Sequence, residues 1–235
     1  MTRELISEAM KRGIVHETGL IAHGRGEAFD YLFGETTIPQ AEIAEKIAAA
    51  ALLSAKNPVI SVNGNVTALA ADECISLAKS IPATLEVNLF HRSPERVKII
   101  AAVLRKKGVK TLYGVRPDAR IPGLDSDRAV CEKKGIYTAD VVLVPLEDGD
   151  RCQALQRMGK TVIAIDLNPL SRTAQSATIT IVDNVTRAVP RIEWWIYKLK
   201  NAKRSHLEKL VRSWDNTENL EKIICFLSKR LNSLC

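Results

Sequence analysis

Three short runs of Val, Ile and Leu in the second half of the chain each empty straight into a polar cluster. Ala139–Leu146 leads into Glu147, Asp148, Gly149, Asp150 and Arg151. Thr161–Ile165 leads into Asp166, Leu167, Asn168, Pro169, Leu170, Ser171, Arg172 and Thr173, and Ala177–Val182 leads into Asp183 and Asn184. Runs this short, followed by helical patterns, read as strands of a parallel sheet covered on both faces. Ligands of such sheets bind in the crevice at the carboxyl ends of the strands. A small polar ligand is therefore expected at these clusters.

The same alternation begins earlier. Thr36, Thr37 and Pro39 open an alanine-rich helix that runs to about Lys56, since proline is tolerated in a first helical turn. Pro58–Val62 reads as a strand ending at Asn63-Gly64-Asn65, before a helix from about Thr67 to Lys79. Thr84–Leu89 and Thr111–Val115 are further strands, separated by a helix from Ser93-Pro94 to about Lys107. Strand–helix alternation of this length predicts an α/β fold, a three-layer α/β/α core with a mostly parallel sheet.

Helices flank that core. Leu5, Ile6, Ala9 and Met10 form an apolar stripe over Arg3–Lys11, closed by Gly13. After Asn184 the pattern is helical to the end. Val185–Lys200 carries Ile192, Trp195, Ile196 and Leu199 on one stripe, followed by Ser205–Ser213 and the amphipathic Leu220–Leu234, with a break at Asp215-Asn216. One domain over residues 1–200, including the N-terminal helix, and a helical C-terminal appendage over 201–235 are expected.

Composition narrows the partners. No apolar run approaches the ~20 residues of a membrane span, and the opening Met1-Thr2-Arg3-Glu4 is too charged for a signal peptide. The five cysteines (Cys74, Cys131, Cys152, Cys225 and Cys235) lack Cys-x-x-Cys spacing, which argues against a zinc site and suits a reducing cytoplasm. Cys152 reads as a small filler rather than an activated thiol. The net charge of +7 suits phosphorylated small molecules. Nucleic acid is disfavoured, because few aromatics and no long basic run are present.

A phosphate ligand would normally announce itself through a Gly-x-x-x-x-Gly-Lys-Ser/Thr loop or a Gly-x-Gly-x-x-Gly turn after a strand, and neither occurs. Helix N-termini remain, at Asn63-Gly64-Asn65, Asp148-Gly149 and Asp183-Asn184, where backbone N–H groups bind anions or are simply capped by Asn and Asp. Gly19–Glu27 reads as a short apolar step into a glycine-spaced polar loop. In such a loop His23 and Arg25 would share one ligand, an imidazole beside a guanidinium fork. Glu147, Asp148 and Asp150 would hold magnesium through water or form a solvated, capping loop.

These clusters also resemble a known family. Gly19–Leu32, Pro58–Val66, Leu85–Phe90, Arg120–Asp125, Ala139–Arg151, Asp166–Ala174 and Thr178–Asn184 are similar, in order, to motifs of archaeal phosphopantothenate synthetase, also called 4-phosphopantoate–β-alanine ligase. The resemblance implies a Rossmann-like homodimer that joins 4-phosphopantoate to β-alanine in coenzyme A synthesis. ATP, entering as its Mg2+ complex, would leave as AMP and pyrophosphate.

The family's ATP contacts would fall on Arg3, Arg25, Asp166, Leu167, Asn168, Arg172, Thr173, Asn184 and Val185. His23 and Arg25 are the expected catalytic residues, and Asn63, Asn65, Asn88, Arg120, Asp150 and Arg151 the expected substrate contacts. No metal-ligand set is assigned. Two departures stand out: family members carry a further stretch before the position of Arg3, and a His where this chain has Ser126. A non-catalytic nucleotide-binding module and an NAD-dependent oxidoreductase are the rival readings, the second opposed by the missing glycine fingerprint.

Overall fold

A computed structural model describes residues 2–233; Met1, Leu234 at the end of the expected last helix, and Cys235 lie outside the described residues. In chain order the elements are α1 (Thr2–Lys11), α2 (Glu17–Phe33), α3 (Pro39–Ser54), β1 (Pro58–Val62), α4 (Gly64–Ser80), β2 (Thr84–Val87) and α5 (Pro94–Lys106). Then come β3 (Leu112–Tyr113), β4 (Ala119–Arg120), β5 (Val130–Cys131), β6 (Val141–Pro145), α6 (Gly149–Arg157), β7 (Thr161–Ile165) and α7 (Arg172–Ser176). The chain ends with β8 (Ile179–Ile181), α8 (Val185–Leu199), α9 (Arg204–Arg212) and α10 (Asn216–Asn232).

Six strands form one parallel sheet in the order β3-β2-β1-β6-β7-β8. The chain builds outward from β1 to β3, then returns to the other side of β1 and builds outward again. The reversal between β1 and β6 is the topological switch point, beneath which ligands of such sheets bind. β1 and β6 are buried at every position, as expected of strands covered on both faces. One layer is α3, α4 and α8, where Ala44, Ala48, Ala49 and Ala51 let α3 approach β8 and α8 closely. Among the described residues no helix is long and apolar enough to cross a membrane.

Side-chain caps start the helices at the carboxyl edge. Asn63 accepts from the Val66 amide at 3.0 Å, Asp148 from Arg151 at 3.0 Å, Ser171 from Ala174 at 2.9 Å and Asn184 from Thr186 at 3.1 Å. α9 and α10 lie against this body: Leu207 joins the main core, while Leu220 and Ile223 pack with Phe33, Ile38 and Val182.

Two regions differ from the sequence expectation. The glycine-spaced segment around His23 is not a loop but the middle of α2, a continuous helix from its His16 cap to Gly34, whose φ of +83° ends it in the left-handed region. Between β3 and β6, where no strand was expected, lies a two-stranded antiparallel ribbon, with Ala119 opposite Cys131 and Arg120 opposite Val130. A short turn at Asp127–Ala129 and a wide turn at Lys133–Tyr137 flank β5.

Candidate active site

At the switch point, Asn63 leaves β1 and reaches across to the partner strand. Its Nδ2 donates to the carbonyls of Pro145 at 3.2 Å and Leu146 at 3.1 Å. Glu147 and Asp148 follow at once, and two buried arginines hold them. Arg151, wholly enclosed, forms an ion pair with Glu147 and donates to Ser61 Oγ at 3.1 Å. Arg128 enters from the ribbon, its Nε 3.4 Å from both Glu147 and Asp148 and its Nη1 donating to the Asn88 carbonyl at 2.9 Å.

These charges settle one another. Burial alone would raise the Glu147 carboxyl, but Arg128 and Arg151, together with hydrogen bonds from Asp148, more than offset it and hold it below its ordinary value. Asp148, desolvated and beside that charge, is pushed up to about 6. Several buried atoms here have no hydrogen-bond partner: Arg151 Nε, the hydroxyl of Ser126, and Arg128 Nε and Asp148 Oδ2, which meet only as an ion pair. Arg128 escaped the sequence reading, because a charged residue in an irregular segment looks like surface until the ribbon folds it inward. The Arg120–Asp125 motif just upstream was the available signal.

The β7–β8 half is built differently. Asp166 accepts from the Asn168 amide at 2.9 Å and from the Ser171 hydroxyl at 2.5 Å, closing a tight turn. Burial raises its carboxyl, against those bonds and the Arg25 charge. Asn168 Oδ1 takes the Leu170 amide at 2.9 Å, and Leu167 is buried. Arg172 is exposed and meets an equally exposed Asp150 at 2.9 Å. Thr173 donates to the Glu147 carbonyl at 3.0 Å, which ties the two halves together. Asn184 caps α8, whose first residue, Val185, is buried.

α2 runs over both halves. Residues four, seven and eleven apart share one face of a helix, and here they are Gly19, His23, Gly26 and Asp30. Gly19 lies against Asn65, which donates to its carbonyl at 2.8 Å; a Cβ there would strike the Asn65 amide. A Cβ on Gly26 would stand 3.7 Å from Leu167. Asp30 accepts from Asn184 at 3.1 Å and from both ends of the Arg187 guanidinium, at 3.1 and 2.6 Å. His23 thus sits mid-way along the face that spans from β1 to β8, with a glycine on either side.

The helix corrects one expectation. Side chains two apart do not face each other on a helix, so His23 and Arg25 do not share a ligand-facing loop: His23 is enclosed and Arg25 is exposed. Arg25 still reaches Asp166 electrostatically. Arg3 lies at the other flank of α2, donating to the Tyr31 hydroxyl at 2.8 Å.

Of the expected substrate residues, Asn63, Asn88 and Arg151 gather at the switch point, Asp150 pairs with Arg172 of the β7–β8 half, and Asn65 braces α2. Arg120 is exposed on β4, and among the described residues no side-chain hydrogen bond or ion pair joins it to the cluster. The carboxylates of Glu147, Asp148 and Asp150 face arginines. Among the described residues no group of three His, Cys, Asp or Glu could hold a metal ion. Cys152 is buried and its thiol is pushed up to about 12, consistent with a filler.

Sequence comparison decides the family. The family described as phosphopantothenate/pantothenate synthetase matches residues 40–230. The chain belongs to it. A Thermococcus onnurineus relative, named 4-phosphopantoate–β-alanine ligase, is 52% identical over 99% of this chain and 89% of its own length. Relatives of the same name from Methanosarcina mazei and Methanospirillum hungatei are each 50% identical, over 100% and 98% of this chain and 92% and 93% of theirs. The phosphopantothenate synthetase match takes in both halves of the edge, and the relatives' alignments extend across α2 as well.

Proposed function

We propose that this chain is a 4-phosphopantoate–β-alanine ligase, making 4'-phosphopantothenate for coenzyme A with ATP as the energy source. Family membership supports the reaction. The observation that carries its location is one sheet edge divided into two anion-ready halves beneath α2.

A carboxylate resists attack by an amine because it is electron-rich and lacks a leaving group. In this reading the nucleotide occupies the β7–β8 half, where the Asp166–Asn168 turn and Asn184 take its nucleoside and Arg172, Thr173, Arg25 and Arg3 meet its phosphates. Mg2+ would come bound to those phosphates and screen their charge, because Asp150, the carboxylate beside Arg172, already has an arginine partner. Phosphopantoate lies at the switch point beside Asn63, where Arg128 and the free N–H groups of α6 receive its anionic groups. Its carboxylate attacks the α-phosphorus, pyrophosphate leaves, and the β-alanine amine then displaces AMP from the acyl-adenylate. Two reactants held in line lower the barrier chiefly through orientation and charge screening. His23, above the junction, takes the amine's proton.

Two copies pairing through the outer stripe of α2 belong to this reading. Ile21 and Leu32 are exposed there, close to the turn of the helix that carries Ala28, and Leu5 of α1 is also exposed. A cytoplasmic setting suits the buried free thiols Cys74, Cys131 and Cys152.

Purified protein with ATP, Mg2+, 4-phosphopantoate and β-alanine is expected to release phosphopantothenate and AMP in equal amounts. Unphosphorylated pantoate is expected to react poorly, because it cannot make the charge-assisted hydrogen bonds that anchor the phosphorylated substrate in the site. ADP and phosphate as products would overturn the adenylate route.

A further inference from the structure

Glu27 lies one turn beyond His23 on α2, and nothing in the reaction as described uses it. Its Oε1 is 3.3 Å from His23 Nε2, and both side chains are largely enclosed, His23 at 9% and Glu27 at 17% exposure. Nε2 is fully buried, with no other partner and no aligned hydrogen bond. The carboxylate is itself anchored. The Thr2 hydroxyl donates to Oε1 at 2.7 Å, and Arg3 Nε stands 3.5 Å from Oε2.

We propose that Glu27 is a positioning residue for His23, resting on the reading in which His23 takes the β-alanine proton. An imidazole with one ring nitrogen sealed against a carboxylate keeps its hydrogen there. Nε2 therefore carries the hydrogen, and Nδ1 keeps the lone pair that faces the substrate. When the amine attacks, its proton moves from nitrogen to Nδ1. The imidazolium formed has its charge beside Glu27, which stabilises it as it appears. The 3.3 Å separation tightens once substrates close the site, as hydrogen bonds of a general base commonly do. Gly19 and Gly26, one turn to either side of His23 on the same face, let α2 lie close over Asn65 and Leu167 and so hold the ring against the sheet edge.

The test is nitrogen NMR of the full chain carrying 15N-histidine, with the His23 resonances assigned by their loss in His23→Gln. The wild type is expected to show the tautomer protonated at Nε2. Glu27→Gln is expected to redistribute the tautomers and lower kcat about tenfold or more, a substantial part of what a general base supplies. KM for ATP should change less than about twofold. Glu27→Asp, which keeps the charge on a shorter arm, is expected to restore part of kcat. Thr2→Val, which severs the link to α1 but leaves the carboxylate, should keep both tautomer and turnover.

Unchanged His23 resonances in Glu27→Gln would overturn the proposal. So would a shifted tautomer with unchanged kcat, or a Thr2→Val variant as slow as Glu27→Gln, which would make Glu27 only an anchor for α1. Because the tautomer is read without turnover, absence of ligase activity in the wild type would refute the ligase reading separately.

Discussion

The two halves of the carboxyl edge treat charge in opposite ways. At the switch point Arg128 and Arg151 are buried and already paired with Glu147, so the field is set before any ligand arrives. In the β7–β8 half Arg25 and Arg172 are exposed, and Arg172 holds only an exposed Asp150. A buried ion pair is costly to break, whereas an exposed one is worth little and can be exchanged for a ligand's phosphate. The first half is therefore fixed and selective, and the second is free to close on a nucleotide that enters and leaves as a different molecule.

The largest effect should come from breaking the buried pair. Arg151→Met strands Glu147 in the interior, leaving Arg128 as its remaining partner, and is expected to cost about 3–5 kcal/mol, read as a lower urea midpoint. Replacing both partners, Arg151→Met with Glu147→Leu, should recover most of that stability but not turnover. A stable Arg151→Met single variant would erase the distinction between the halves.

Arg172→Ala should do the reverse. ATP affinity should fall by about 1.5–3 kcal/mol, the worth of a charge-assisted bond to phosphate, while the urea midpoint barely moves. Unchanged ATP affinity would remove Arg172 from the nucleotide half. Arg25→Lys should weaken ATP as well, since a point charge cannot reproduce the guanidinium fork.

A pH-dependent effect sharpens the comparison from outside the edge. Glu45 on α3 is as buried as Glu147, yet its partner Arg191 is half-exposed, and burial pushes its carboxyl from 4.5 up to about 8. The folded value lies above the unfolded one, so between them the folded state holds the extra proton. Its contribution to stability is complete below about 4.5 and is lost as pH rises towards about 8. Between pH 5 and 8.5 the wild type should lose on the order of 4 kcal/mol that Glu45→Gln does not lose. Equal pH slopes in urea denaturation would show that Glu45 stays ionised, as Glu147 does.

The sheet was legible because its physics is local. Pro58–Val62 and Thr161–Ile165 are apolar at nearly every position, and Asn63, Ser171 and Asn184 stand where helix starts need a cap. α2 was not legible: Gly19, Gly24 and Gly26 disfavour a helix locally, and its apolar residues follow no single stripe. What holds α2 is tertiary, through Asn65 and Arg187, residues far away in sequence. The Gly19-His23-Gly26-Asp30 spacing and Gly34 were the clues available. The ribbon strands are two residues each, too short for any periodicity, and Arg128 went unseen with them.

Isotope transfer tests the ligase account most directly. With both carboxylate oxygens of 4-phosphopantoate labelled as 18O, attack on the α-phosphorus should leave one labelled oxygen in the phosphate of AMP and one in the new amide. Label appearing in inorganic phosphate alongside ADP, with none in AMP, would contradict it.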